Sequence, residues 1–343
     1  MGTAADEQTG SGSPSPAPPA AQGVRLPWEQ VPQRLRQRIE HHLRSRVTRA
    51  VTQLGGFSPG AAARLELADG QRAFVKAVSP EQNPDSPGIY RDEAAITARL
   101  PAEALAPRLL ASFEDDDGWV ALVFEDIDGW MPAQPWIPAE LDRVLAAIAE
   151  LADALTPAPA GVDAPPIAGR FARDFRGWRM LAEAASDGDE LDGLDPWAQA
   201  NLAELAELES RWEQAAAGDS LVHTDLRADN LLLTKDRVYV VDWPWACTAQ
   251  PWIDLIFMLP SIRLQQGPPP ETIWAAHPMA GQTDPDAVTA VVAAVAGYFT
   301  HRSRQPAPKG IPTVRDFQRA QAEITIRWLR ERSDFGCGSL TRH

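Results

Sequence analysis

The spacing of apolar residues changes twice along this chain. Leu35, Ile39, Leu43 and Val47 recur every four residues in "WEQVPQRLRQRIEHHLRSRV", which predicts an amphipathic helix with arginines around a narrow stripe. In an acidic chain such a stripe points to packing on a neighbouring sheet rather than to a membrane or RNA surface. The period then falls to two. "AARLELADGQRAFVKAV" holds two alternating runs joined through Asp69-Gly70, a hairpin signal because both turn positions favour positive φ. A helix follows near "SPGIYRDEAAITARL", with Ile89, Ile96 and Leu100 on its apolar side. Two more strands, "RLLASF" and "WVALVFE", meet at the acidic turn Glu114 to Gly118. This order predicts a small antiparallel sheet with one helix against it.

From about Trp130 the helical period returns. Leu141, Val144, Leu145, Ile148, Leu151 and Leu155 mark one helix, and Leu202, Leu205, Leu208 and Trp212 another. A third opens with Asp284 as cap and Pro285 at its first position, followed by Val288, Val291, Val292, Val295 and Phe299. A fourth carries Phe317, Ile324 and Trp328. One short hairpin, "NLLLT" and "VYVVD" around Lys235-Asp236, interrupts them. At 343 residues the chain exceeds the roughly 250–300 at which a single core stops growing, so two lobes are expected. The class is α+β: a disordered tail over 1–24, a sheet lobe over 25–129 and a mainly helical lobe over 130–343. The tail is Pro, Ser, Gly and Ala with almost no large apolar residue, and it lacks the basic start and apolar stretch of a signal peptide.

Composition narrows the function. A net charge of −15 argues against a nucleic-acid partner, whose footprint is a basic face. The longest apolar run, 287–299, is short of the roughly 20 residues that cross a bilayer, so no membrane span is expected. Cys247 and Cys337 are too few for a disulfide framework, which fits a reduced, cytoplasmic compartment, and no zinc-ligand spacing appears. Between Glu183 and Asp219 lie eleven acidic residues and one basic one. That run is either a magnet for a cationic partner or a solvated helix face. Oligomeric state leaves no trace in the pattern.

The densest polar cluster is "LVHTDLRADNLLL", 221–233. The pattern predicts a helix ending near Ser220, a loop from His223 to Asn230, and a hairpin whose second strand ends at Asp242. Asp225, Asn230 and Asp242 are thereby held at one hairpin edge. Hard oxygen ligands of this kind suit Mg2+, which takes one or two protein oxygens and completes its shell with water and substrate phosphates.

"HTDLRADN", with Asp242 twelve residues after Asn230, resembles the catalytic and metal-binding signature of the kinase-like superfamily. "GGFSPG", "FVKA", "YRDEAA" and "FEDIDG" precede it in matching order, and over about 26–335 the chain is most similar to the aminoglycoside phosphotransferase family of small-molecule kinases. The resemblance implies a bilobal protein-kinase-like fold and transfer of the γ-phosphoryl group of ATP, or GTP, to a hydroxyl of a small molecule, with Mg2+. It implies Asp225 as the residue that accepts or orients the acceptor's proton, Arg227 as a cation against the γ-phosphate, and Asn230 and Asp242 as metal ligands. Lys76 matches the strand lysine on the α- and β-phosphates and Glu93 the helix glutamate that orients it. Of 32 basic residues only three are lysine, so a strand lysine is no surface habit of this chain. Gly55, Gly56, Phe57 and Ser58 would lie over the phosphates, and backbone groups of Glu125, Asp126 and Ile127 would meet the adenine. His223 would orient the loop and Asp254 brace it.

Departures set limits on this likeness. Thr224 and the "RAD" segment replace glycine- and proline-containing versions of the loop, and Trp243-Pro244 follows Asp242 where Phe-Gly is usual. Asp254 comes within twelve residues of Asp242, too soon for the long segment on which protein kinases lay a peptide. The acceptor is therefore small, and the acidic run suggests a cationic one such as an aminoglycoside or amino sugar. The rival from another class is a non-catalytic nucleotide-binding pseudokinase, against which retention of Lys76, Asp225, Asn230 and Asp242 together argues.

Overall fold

The computed structural model describes residues 24–188 and 191–333. Residues 1–23 of the expected tail, Cys337, and Asp189 and Glu190 of the acidic run lie outside the described residues. The first lobe is a six-stranded sheet built from β1 (Arg25–Leu26), β2 (Val47–Thr52), β3 (Gly60–Leu67), β4 (Arg72–Val78), β5 (Leu109–Glu114) and β6 (Val120–Glu125). Its path runs β1-β3-β4-β6-β5, with β2 also on β3. The expected hairpin forms β3 and β4, turning at Gly70 with φ +83°. All pairings are antiparallel except β1 on β3, where Arg25 faces Gly60 and Leu26 faces Ala61.

Two helices cover this sheet, one with each of its two apolar clusters. The helix α1 (Gln33–Leu43) sets Leu35 and Ile39 beside Leu65, Val75 and Val123 on one face. The helix α2 (Ser86–Thr97) sets Tyr90 beside Val78, Val120, Leu122 and Phe124 on the other. The pattern is consistent with this: β4 and β6 are buried at nearly every position, as strands covered on both sides must be. Val47, expected on α1, begins β2 instead. Arg44 ends the helix in the left-handed region at φ +55° and turns the chain back.

The second lobe holds α3 (Pro138–Ala154), α4 (Ile167–Phe171), α5 (Gly177–Ser186), α6 (Pro196–Ala200), α7 (Leu202–Glu209), α8 (Trp212–Ala216), α9 (Ile253–Leu264), α10 (Pro270–Ala276), α11 (Pro285–Ser303) and α12 (Val314–Arg332). Two small ladders sit among them: β7 (Ser220–Val222) with β10 (Cys247–Ala249), and β8 (Leu231–Leu233) with β9 (Val238–Val240). The helix read from Leu202 to Trp212 is two, broken at Ser210-Arg211, and the residues before the polar cluster form strand β7 rather than a helix end. The helix α9 is buried on nearly all sides, which explains its lack of a polar face, and the four most enclosed tryptophans, Trp178, Trp212, Trp243 and Trp328, fill the same core. No described helix is long and apolar enough to cross a membrane.

Several contacts join the lobes, among them the Val240 amide donating to Leu105 O at 2.8 Å. Where the chain enters the second lobe, Trp130 exchanges backbone hydrogen bonds with Leu233, at 2.9 and 2.7 Å. The α11–α12 connection reaches the sheet lobe, where Gly310 O accepts from Val24 N at 3.2 Å and Lys309 O from Asn83 Nδ2 at 3.0 Å. Phe57, in the loop before β3, meets Phe317 of α12 edge to face at 5.1 Å. The α11–α12 connection and the first turn of α12 thus touch the sheet lobe beside β1 and at the glycine loop.

Candidate active site

The segment 223–230 is held from behind by one carboxylate. Asp254, in the first turn of α9, accepts the backbone amides of His223 at 2.9 Å and Thr224 at 2.6 Å. Thr224 sits in the left-handed region at φ +67°, uncommon for a β-branched residue and indicative of strain held by its surroundings. Its hydroxyl donates to Trp245 O at 3.0 Å. His223 is fully buried; Asp225 N donates to its Nδ1 at 3.1 Å, so the proton is on Nε2, which donates to Val241 O at 3.0 Å. Burial lowers its pKa, and the neutral ring stands edge-on to Trp243 at 4.8 Å. His223 and Asp254 therefore shape the loop, as their expected supporting roles require.

Asp225 emerges from this brace into the cleft. Burial pushes its carboxyl up to about 6, with Arg227 pulling down and Asp242 and Asp229 pushing up. Arg227 Nη1 bonds Asp225 Oδ1, and its other edge grips Asp229 through two bonds of 3.0 and 3.1 Å. Its guanidinium also lies 5.4 Å from the Phe57 ring and 5.8 Å from Phe317. Asn230 Nδ2 donates to Asp225 O at 2.8 Å and to Asp225 Oδ2 at 3.1 Å, which leaves Oδ1 as its acceptor atom.

From the sheet side comes Lys76. Its Nζ lies 2.6 Å from Glu93 Oε2 and 2.6 Å from Asp242 Oδ1, joining β4, α2 and the loop after β9. Burial opposes the ammonium, but the two carboxylates outweigh it and raise its pKa. Glu93, almost fully buried, is pushed up to about 7 by burial despite that contact. Asp242 is held below the usual carboxylate range: burial works against this, and Lys76 prevails. Asp242 adopts φ +70°, a second left-handed non-glycine residue in the same site.

The chemistry of the donor set fits Mg2+. Asn230 offers an amide oxygen, and Asp242 a carboxylate whose second oxygen is free of Lys76. Among the described residues no group of three or more His, Cys, Asp or Glu gathers as a metal cage.

A family model for a phosphotransferase enzyme family, APH, matches residues 51–330. The chain belongs to this family. The phosphotransferase is similar in fold to a thermostable mutant of the aminoglycoside phosphotransferase APH(4)-Ia, solved with ADP and hygromycin B. That match has 16% identity, a TM-score of 0.59, and covers 89% of this chain and 99% of that one. Choline kinase LicA from Streptococcus pneumoniae is similar at 15% identity and TM-score 0.51, over 87% of this chain and 98% of that one. At these identities the likeness shows the bilobal kinase-like fold. The comparison with curated proteins gives no match.

The side chains of the connecting segment are engaged with arginines of the sheet lobe. The phosphotransferase ties the Asp126 carboxylate to Arg64 at 2.7 and 2.9 Å and to Arg72 at 3.2 Å, and Glu125 to Arg108 at 2.9 and 3.2 Å. The Ile127 carbonyl accepts from Arg64 Nη2 and Gly129 N. The side chains of "FEDIDG" therefore set the shape of the connection between lobes. In the acidic run, Glu209 is fully buried and accepts from Trp178 N, Arg179 N and Arg179 Nε at 3.0–3.1 Å; Asp195 caps α6, and Glu183 and Glu207 pair with Arg176 and Arg211. These carboxylates hold helices or face water.

Other residues escaped the sequence reading. Phe317 packs on Phe57 and Arg227, and Tyr298 of α11 lies within electrostatic reach of Asp225, Asp174, Arg302 and Arg315. Arg302 pairs with Asp174, and Arg315 is held by the neutral acceptors Pro306 O and Gln318 Oε1. Helical spacing alone gave these side chains no distinguishing mark.

Proposed function

We propose that this phosphotransferase moves the γ-phosphoryl group of a nucleoside triphosphate, ATP in the first instance, to a hydroxyl of a small molecule with the help of Mg2+. The observation that carries the reading is the convergence of Lys76, Asp242, Asn230 and Asp225 from both lobes on one cleft. In this reading Asp225 takes the proton of the acceptor hydroxyl as its oxygen bonds to the γ-phosphorus, and the bond to the bridging oxygen breaks to release the nucleoside diphosphate. Positioning of this kind contributes about 10²–10⁴ in rate. Lys76, kept charged by Glu93, grips the α- and β-phosphates, and Arg227 faces the transferring group, where charge develops. Asn230 and Asp242 would hold the metal, which supplies neutralisation of the phosphate oxygens. Gly55, Gly56, Phe57 and Ser58 close over the phosphates, the backbone of 125–127 borders the base, and the lobes divide at 129/130.

For the acceptor we propose the space beside Asp225 bordered by Tyr298 and the Phe57–Phe317 pair. Aminoglycosides and amino sugars are the first class to test, because the structurally similar APH(4)-Ia binds hygromycin B. The phosphotransferase is incubated with Mg2+ and ATP against cationic, neutral and anionic alcohols, and phosphorylated product is read by mass spectrometry, with Asp225→Ala as control. Product from wild type alone supports the reading. If ATP binds, no alcohol is modified and the variant is indistinguishable, the chain is a nucleotide-binding regulatory module instead. Equal turnover of neutral alcohols would remove the cationic preference.

A further inference from the structure

Arg25 occupies a position no motif marks. Its backbone is fixed by the short parallel pairing of β1 with Gly60 and Ala61, immediately after the glycine loop. Gly60 accommodates this at φ +95°; a Cβ there would lie 2.5 Å from the Ala77 carbonyl oxygen. From β1 the guanidinium runs beneath the loop, where Nη1 donates to Ser58 O and Nη2 to Gly55 O. At Gly56, φ +85°, a Cβ would stand 3.0 Å from Arg25 Nη2, so glycine suits both the left-handed backbone and the close approach of the cation.

Two features of this guanidinium are unusual. Among the described residues it makes no ion pair, whereas Arg227 and Lys76 at the same cleft each reach carboxylates. Its Nε is buried without a hydrogen-bond partner. The groups facing it are Tyr90, Asp242 and Asp229, none within ion-pair distance, and burial leaves its pKa lowered. Close by, the Tyr90 hydroxyl is also buried and unpartnered, with its ring 4.9 Å from Lys76 Nζ. A half-buried guanidinium without an ion-pair partner, its Nε unbonded, beside an orphaned buried hydroxyl is costly unless an anion completes it.

We propose that Arg25 is a phosphate-binding residue of the nucleotide site: on binding, its guanidinium releases the Gly55 and Ser58 carbonyls and takes oxygens of the terminal phosphates, with the Tyr90 hydroxyl donating alongside. The exchange replaces neutral acceptors with oxyanions, which a planar fork of donors holds in pairs and more strongly. It also frees the loop carbonyls as the loop turns its N–H groups to the phosphates. The inference rests on the nucleotide-site reading above and extends it to a residue outside the family motifs.

The test is equilibrium binding of ATP, ADP and AMP, each with Mg2+, to wild type, Arg25→Ala, Arg25→Lys and Tyr90→Phe, with folding checked by thermal melting. Loss of one charge-assisted contact should weaken ATP at least about tenfold in Arg25→Ala and leave AMP within about twofold. Arg25→Lys should recover part of the loss, and Tyr90→Phe should show a smaller version of the same order. If Arg25 merely latches the loop, all three nucleotides shift together, and the proposal fails. Unchanged affinities in Arg25→Ala overturn it alone; wild type that binds none of the three overturns the nucleotide-site reading as well.

Discussion

Lys76 and Asp242, 166 positions apart in sequence, meet at 2.6 Å across the interlobe cleft, and Glu93 closes the same ammonium from its other side at 2.6 Å. One cation thus ties a strand, a helix and the hairpin loop together. Removing one partner of a buried pair typically costs about 3–5 kcal/mol because the other charge is left unpaired.

Lys76→Met should therefore destabilise the fold as well as silence it. Glu93, already raised to about 7 by burial, rises further when the ammonium goes. A folded pKa above the unfolded value gives stability that is present at low pH and lost as pH climbs through the folded pKa. The variant's deficit in urea denaturation should be larger at pH 8 than at pH 6. Equal deficits would mean that Glu93 does not titrate in the variant.

Asp225 must be a carboxylate to accept a proton, and burial holds it near 6 in the free protein. The acid limb of kcat/KM should bend near pH 6, activity falling below it. Asp225→Asn should lower kcat by about 10²–10⁴ while nucleotide affinity stays within a few-fold. A profile flat from pH 5 to 8 would assign the proton elsewhere.

Asp254→Ala should orphan the buried amides of His223 and Thr224, at about 1–3 kcal/mol each. With its brace gone, Thr224 should leave the left-handed region and kcat should fall although Asp254 touches no reactant. Asp254→Asn keeps one acceptor and should lose about half as much stability. Chemical denaturation of both variants checks the order.

Phe57 and Phe317 link the glycine loop to α12, and such a pair contributes about 0.5–1.5 kcal/mol beyond its buried area. Phe317→Ala should raise the nucleotide KM by about two- to tenfold and alter kcat less. The double variant with Phe57→Ala should be no worse than the poorer single one. Additive losses would show that the rings act separately.

Much of this molecule is legible in the sequence because its elements obey local rules. The β3–β4 hairpin follows from alternation and Asp69-Gly70, and the polar cluster from residue types that no surface turn assembles in that order. What stayed hidden depends on tertiary pairing. The two residues of β1 show no periodicity, so Arg25 could not be marked; Phe317 reads as an ordinary apolar position until α12 is docked. The arginine partners of the Asp126 carboxylate could not be read from the sequence, because they lie 62 and 54 residues earlier. The acidic run could not be resolved for the same reason: charge along a chain carries no direction, and the buried Glu209 is taken by Trp178 and Arg179.

The central claim is that the two lobes build a single metal–nucleotide site, and calorimetric titration of ATP with and without Mg2+ into wild type, Lys76→Ala and Asp242→Ala tests it most directly. Wild type should bind tightly only when Mg2+ is present, and either substitution should weaken that binding at least about tenfold. Binding indifferent to Mg2+ and to both substitutions would contradict it.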